Sequence, residues 1–243
     1  MLTDATELDP SAWEALRKAL NQRVVVGRVR FVPSKVNRVW LVETDVRPVV
    51  VKRFLSTRAG IEFEAMLQAR KAALNVPFPL WMQENILVSE YIAGDSCDLM
   101  VHKMFDARSV ESMGVWLARF HEKMASEGGT RIMGDAVPSN FISSEGAVWG
   151  VDLEHIRQGD PLEDVGQLAA AILGNEPYFT PIKYDLCMRL LKSYSDESGR
   201  DIVEPAREHV SRHLIMDARK KPLFRRTITA AAKKLRDGWP SLA

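Results

Sequence analysis

Three short runs near the N-terminus, RVVVGRVRFV, NRVWLVET and RPVVVKRFL, are dense in β-branched residues and are separated by Pro-Ser-Lys and by Thr44-Asp45. Such runs predict the strands of an antiparallel meander. A helix is predicted ahead of them in SAWEALRKAL, with Ser11 as N-cap and Glu14 completing a capping box. IEFEAMLQARKAAL then has helix composition until the prolines of NVPFPL end it, and WMQENILVSEYI predicts two further strands. Strands, one main helix and more strands make a small α+β lobe over residues 1–92.

Past Ala93-Gly94-Asp95 the pattern changes period. Val110, Met113, Leu117, Phe120, His121 and Met124 recur at steps of three and four, which predicts a helix with one buried face. Gly128-Gly129 stops it, and FISS and AVWGVDL around Glu145-Gly146 predict a short hairpin. GDPLEDVGQLAAAIL opens another helix, with Asp160 as N-cap, Pro161 in the favoured first position and Glu163 completing the box. Helices are predicted over 182–196, 203–218 and 222–237. Residues 93–243 therefore read as a second, mostly helical lobe.

Composition narrows the class. The chain has 243 residues, 46% hydrophobic and 27% charged, which suits a folded globular protein and excludes extended disorder. The longest apolar runs, such as VWLV and RPVVV, are too short to cross a bilayer, and no secretory signal is visible. Cys97 and Cys187 match no metal or redox spacing, so two buried thiols in a reduced, cytoplasmic setting are expected. The net charge is only +1, yet residues 207–236 carry ten basic residues against Glu208 and Asp217. That stretch is either a pair of helices with solvated basic faces or a surface for an anionic partner, nucleic acid or membrane.

Several residues carry chemistry in a suggestive rhythm. Lys52 ends the strand VVVK, and Glu64, with Glu62 as second choice, lies on the following helix where it could hold Lys52 by an ion pair. In MGDAVPSNFI, Asp135 and Asn140 stand five residues apart, and Asp152 follows at the end of AVWGVD. A cation for phosphates, hard oxygen ligands for Mg2+ and a carboxylate to receive a hydroxyl proton are what phosphoryl transfer from a nucleotide requires.

VVVKRF, the E-A-x-x-L helix core, LVSEYIAG, GDAVPSNFI and GVDLEH…GDPLEDV together resemble the protein-kinase-like superfamily, over residues 24–172. The branch they resemble is that of the aminoglycoside and choline phosphotransferases. The chain is also similar to lipopolysaccharide-core sugar kinases and to RIO-like small kinases. The resemblance implies a two-lobed α+β fold with an antiparallel-sheet N-lobe and a mostly helical C-lobe, using ATP and Mg2+. It implies Asp135 as catalytic base, Asn140 and Asp152 as metal ligands, and Lys52 with Glu64 as the phosphate-clamping pair. Glu90 and Ile92 would present main-chain groups to adenine, and the Ser34–Asn37 turn, with Lys35, would approach the phosphates. Asp164 would tie the catalytic loop to the helix start.

Three departures shape the expected activity. Met133 stands where the family has a histidine, and Val137 stands where protein kinases carry a phosphate-neutralising lysine, which argues against an ordinary protein kinase. The phosphate turn has no glycine. The expected function is transfer of a γ-phosphoryl group to a hydroxyl of a small molecule or sugar, including a glycolipid. Alternatives are a RIO-like or tRNA-modification-associated kinase or ATPase, and a silent scaffold. A modest acidic supply beyond Ile172 points to a neutral or anionic acceptor rather than a polycation.

Overall fold

The computed structural model describes residues 8–20, 23–34 and 36–240. The chain divides into two units, one of Met1–Ala93 with Asp152–His155, the other of Gly94–Val151 with Ile156–Ala243.

In the first unit, helix α1 (Pro10–Leu20) precedes strands β1 (Val26–Val32), β2 (Arg38–Thr44) and β3 (Val49–Arg53), helix α2 (Ala59–Lys71), and strands β4 (Pro79–Gln83) and β5 (Ile86–Glu90). The strands form one antiparallel sheet in the order β1-β2-β3-β5-β4. The expected cap of α1 is displaced by two residues. Asp9, not Ser11, accepts from the Ala12 N–H at 3.0 Å, and Pro10 takes the first helical position. Ala12, Ala15 and Leu16 of α1 pack with Trp40, Val42, Val49, Val51, Ile86 and Val88 into an apolar core on one face of the sheet. Strand alternation puts Lys52, neighbour to Val51, on the opposite face.

The second unit adds β6 (Asp95–Ser96), α3 (Cys97–His102), α4 (Ala107–Lys123), β7 (Arg131–Ile132), β8 (Phe141–Ser144), β9 (Ala147–Gly150) and β10 (Arg157–Gln158). Helices α5 (Pro161–Leu173), α6 (Pro181–Ser198), α7 (Val203–Lys220) and α8 (Arg225–Asp237) complete it. The apolar stripe of α4 is buried as its period predicts, from Val110 to Met124. Asp160 caps α5 through the Leu162 N–H at 2.9 Å, but the Glu163 carboxylate goes to Arg157 at 2.6 Å instead of closing a capping box. β8 and β9 form the predicted hairpin, turning at Glu145 (φ 50°) and Gly146 (φ 80°). Gly150 ends β9 where a Cβ would stand 2.2 Å from the Trp116 ring, so only glycine fits.

Cys97 and Cys187 are free and buried. Lys183 is fully buried on α6 and donates to Nδ1 of buried His102. Among the described residues no helix is long and apolar enough to cross a membrane.

Candidate functional site

Four ionisable side chains converge in the first unit. Lys52 Nζ lies 2.8 Å from Glu62 Oε2, 2.5 Å from Asp152 Oδ1 and 3.6 Å from Glu154 Oε2. β3 supplies the lysine, α2 supplies Glu62, and the returning segment Asp152–His155 supplies the other two. Burial lowers the proton affinity of Lys52, but Glu62 and Asp152 outweigh it and hold the ammonium well above the ordinary lysine range. The Glu62 carboxyl is pushed up to about 7 by burial, against the pull of Lys52. Asp152 sits two residues past the end of β9 with φ 63°, a left-handed conformation that aspartate adopts at a cost and that concentrates at functional sites.

The lysine's partner corrects the sequence reading. The buried stripe of α2 runs Ala59, Glu62, Ala65, Met66 and Ala69. Glu62 falls in its middle and is 4% exposed, whereas Glu64 points to solvent. Ser34 is exposed in the turn between β1 and β2, and Lys35 lies outside the described residues. Glu90 donates its main-chain N–H to the Phe78 carbonyl at 2.9 Å, so its amide is already engaged within the sheet. Its carboxylate accepts from the Phe78 N–H at 3.0 Å. Ile92 follows with a buried side chain.

The second unit holds Asp135 and Asn140. Asp135 Oδ1 accepts from Gln167 Nε2 at 2.9 Å, and Oδ2 from Asn140 Nδ2 at 3.3 Å. The same Asn140 nitrogen donates to the Asp135 carbonyl at 2.8 Å, which leaves the amide oxygen as the uncommitted end of the side chain. Helix α5 clamps this loop from below with two residues one turn apart. Asp164, with no exposed surface, accepts from the main-chain N–H groups of Met133 at 2.5 Å and Gly134 at 2.9 Å. Gln167 accepts from the Ala136 N–H at 3.1 Å while orienting Asp135. Gly134 has φ 74°, a backbone state that suits glycine. His121 is the buried, hydrogen-bonded histidine the stripe of α4 implies, with Asp164 Oδ2 at 3.1 Å and the Tyr194 hydroxyl at 2.9 Å.

One ammonium stands against three carboxyl groups in this cluster, and oxygens of Glu62, Asp152 and Glu154 lie within 4.8 Å of one another. Such a hard-oxygen set suits a divalent ion such as Mg2+. The expected metal ligands Asn140 and Asp152 belong to different units. Gln167, Glu154 and Asn37 went unread in the sequence. Gln167 had a signal, since it follows Asp164 by three residues on one helix and so faces the same loop.

No protein-family model matches the sequence, and no curated protein matches it. Solved structures do. The ternary complex of streptomycin, ATP and APH(2″)-IIa superposes with a TM-score of 0.60 at 12% identity, covering 94% of this chain and 99% of that one. A choline/ethanolamine kinase family protein from Mesorhizobium loti gives 0.60 at 17% identity over 93% and 94%. An amicoumacin kinase complex with AMP-PNP and Ca2+ gives 0.61 at 12% identity over 86% and 88%. The chain therefore has the α+β, two-lobed protein-kinase-like fold, in the form found in aminoglycoside phosphotransferases and choline/ethanolamine kinases.

Proposed function

We propose that the protein is an ATP- and Mg2+-dependent phosphotransferase that moves the γ-phosphoryl group to a hydroxyl of a small molecule. The observation that carries this reading is the buried Lys52 ammonium, held by Glu62 and Asp152 at 2.8 and 2.5 Å. A cation fixed in this way is ready to receive phosphate oxygens in place of a carboxylate. Neighbours in fold are solved with ATP, AMP-PNP, ADP or AMP, which supports a nucleotide as the donor.

In this reading Asp135, oriented by Gln167, takes the proton of the acceptor hydroxyl. The acceptor oxygen bonds to the γ-phosphorus, the bond to the β,γ-bridging oxygen breaks, and ADP leaves. Lys52 binds phosphate oxygens. Asp152 and the free amide oxygen of Asn140 would hold Mg2+, which supplies charge neutralisation of the phosphates when bound. Adenine would meet the Glu90 carbonyl and Ile92, and Ser34 would lie near the phosphates.

The acceptor is neutral or anionic in this proposal. Of the acidic residues beyond Ile172, Asp185 is paired with Arg189 at 2.8 Å, Glu197 with Arg119 at 2.7 Å and Glu204 with Arg207 at 3.1 Å. Arginines thus neutralise three of these acidic residues, which reduces the charge offered to a polycation. The basic C-terminal stretch is partly structural too. Arg207 binds the carbonyls of Leu235 and Arg236, and Lys221 binds the Gly174 carbonyl.

The test is a hydroxyl-acceptor screen with ATP and Mg2+, wild type beside Asp135→Ala and Asp152→Ala. Asp135→Ala should bind nucleotide and lose transfer, and Asp152→Ala should lose metal-dependent binding. Full transfer by both variants refutes the assignment.

A further inference from the structure

Asn37 lies in the turn between β1 and β2, where Ser34, Val36 and Arg38 are all exposed, yet it is itself only 5% exposed. A buried amide in an exposed turn is costly unless both its ends are bonded. Both are. Nδ2 donates to Glu154 Oε2 at 2.8 Å, and Oδ1 accepts from the Leu55 N–H at 3.2 Å. The main-chain N–H of Leu55 can only donate, so the orientation of the amide is determined and its NH2 must face Glu154.

Glu154 is equally constrained. It is 6% exposed, its carbonyl accepts from Arg58 Nη1 at 2.9 Å, and the oxygen that receives Asn37 also lies 3.6 Å from Lys52 Nζ. One oxygen of Glu154, 117 positions beyond Asn37, thus joins the turn to the Lys52 ammonium. The turn from Pro33 to Asn37 contains no glycine. Its last residue, Asn37, is fixed by this side-chain anchor.

We propose that Asn37 is a positioning residue that locks the β1–β2 turn to the Asp152–His155 segment through Glu154, and that this lock sets the affinity for ATP. The second half rests on the phosphotransferase reading above. Asn37 itself touches no reacting atom. It fixes the Asn37 end of the turn beside the Lys52 cluster, so that end needs no ordering when the phosphates bind.

The experiment compares wild type, Asn37→Ala and the exchanged pair Asn37→Asp with Glu154→Gln, which preserves net charge and reverses the hydrogen bond. Amide hydrogen exchange at Val36 and Asn37 or its replacement, without nucleotide, reads the lock. Calorimetric titration with ATP and Mg2+ reads its consequence. Asn37→Ala should speed exchange at the turn and weaken ATP binding about tenfold, the loss expected for one hydrogen bond to a charged group. The exchanged pair should restore slow exchange at the turn, a readout that does not depend on the Glu154 carboxylate beside Lys52. A lower melting temperature in Asn37→Ala with unchanged ATP affinity would show a merely structural role and overturn the proposal. Exchange at the turn unaffected by Asn37→Ala would overturn the lock itself. Wild type that binds no ATP would sink the phosphotransferase reading and the affinity claim with it, while the exchange data would still decide whether the lock exists.

Discussion

Asp164 offers the sharpest test of how the loop bearing Asp135 is held. The carboxylate has no exposed surface and receives three donors, the Met133 and Gly134 N–H groups and the His121 ring. Asp164→Ala strips all three of their acceptor at once. Each buried donor left unpaired costs about 1–3 kcal/mol, and breaking a buried charged network costs about 3–5 kcal/mol in total, which we take as the ceiling. For a chain of this size each kcal/mol moves the melting temperature by about 2–4 °C, so a fall of roughly 6–20 °C is expected. Asp164→Asn keeps one acceptor oxygen and can turn its NH2 toward Gly134, sacrificing a single bond, so the fall should be about 1–3 kcal/mol. The assay is thermal unfolding by circular dichroism, with denaturant titration to check that the slope is unchanged. If Asp164→Ala melts with wild type, or if the Asn and Ala variants fall together, the three-donor account is wrong.

Other predictions address different parts of the molecule. Burial holds the Lys183 ammonium down to about 8, with Asp98 working against it, while the unfolded chain titrates near 10.5. Between those values the unfolded chain binds the extra proton, so stability should rise with pH through this window by about 1–3 kcal/mol. Lys183→Met should abolish the rise, and denaturation midpoints that track wild type from pH 8 to 10 would refute it. Gln167→Leu should lower kcat at least about tenfold while leaving ATP affinity intact, because it frees Asp135 to rotate without touching the first unit. Equal loss of both would contradict a purely orienting role. Gly150→Ala should destabilise by about 1–3 kcal/mol through overpacking against Trp116, read as a shift in the denaturation midpoint.

Much of the fold was legible because it rests on local periodicity. β-branched runs became the sheet, and the stripe of α4 was buried where its spacing put it. The errors arose where two residues competed and only tertiary packing decides. Ser11 and Asp9 are both good caps, although Pro10 between them favours Asp9, since proline suits the position just after the cap. In α2 the apolar Ile61 and Phe63 point reading toward a false face, while the helix buries the stripe through Glu62 and leaves Ile61 45% exposed. The roles of Asn37 and Glu154 were invisible for a different reason. Their bond spans 117 residues, and neither composition nor period carries information at that range.

The return of Asp152–His155 into the first unit has a consequence for how the chain is made. When residue 93 leaves the ribosome, Lys52 has Glu62 but lacks Asp152 and Glu154, and the Asn37 amide has no acceptor for its NH2. Roughly sixty more residues must be synthesised before those partners arrive, about 3–12 s at ordinary rates of translation. The N-terminal ninety-three residues are therefore an unfinished object throughout that interval, with a buried-site lysine and amide waiting on chain still to be made. Dissecting the protein at the apparent boundary would make the same omission permanent.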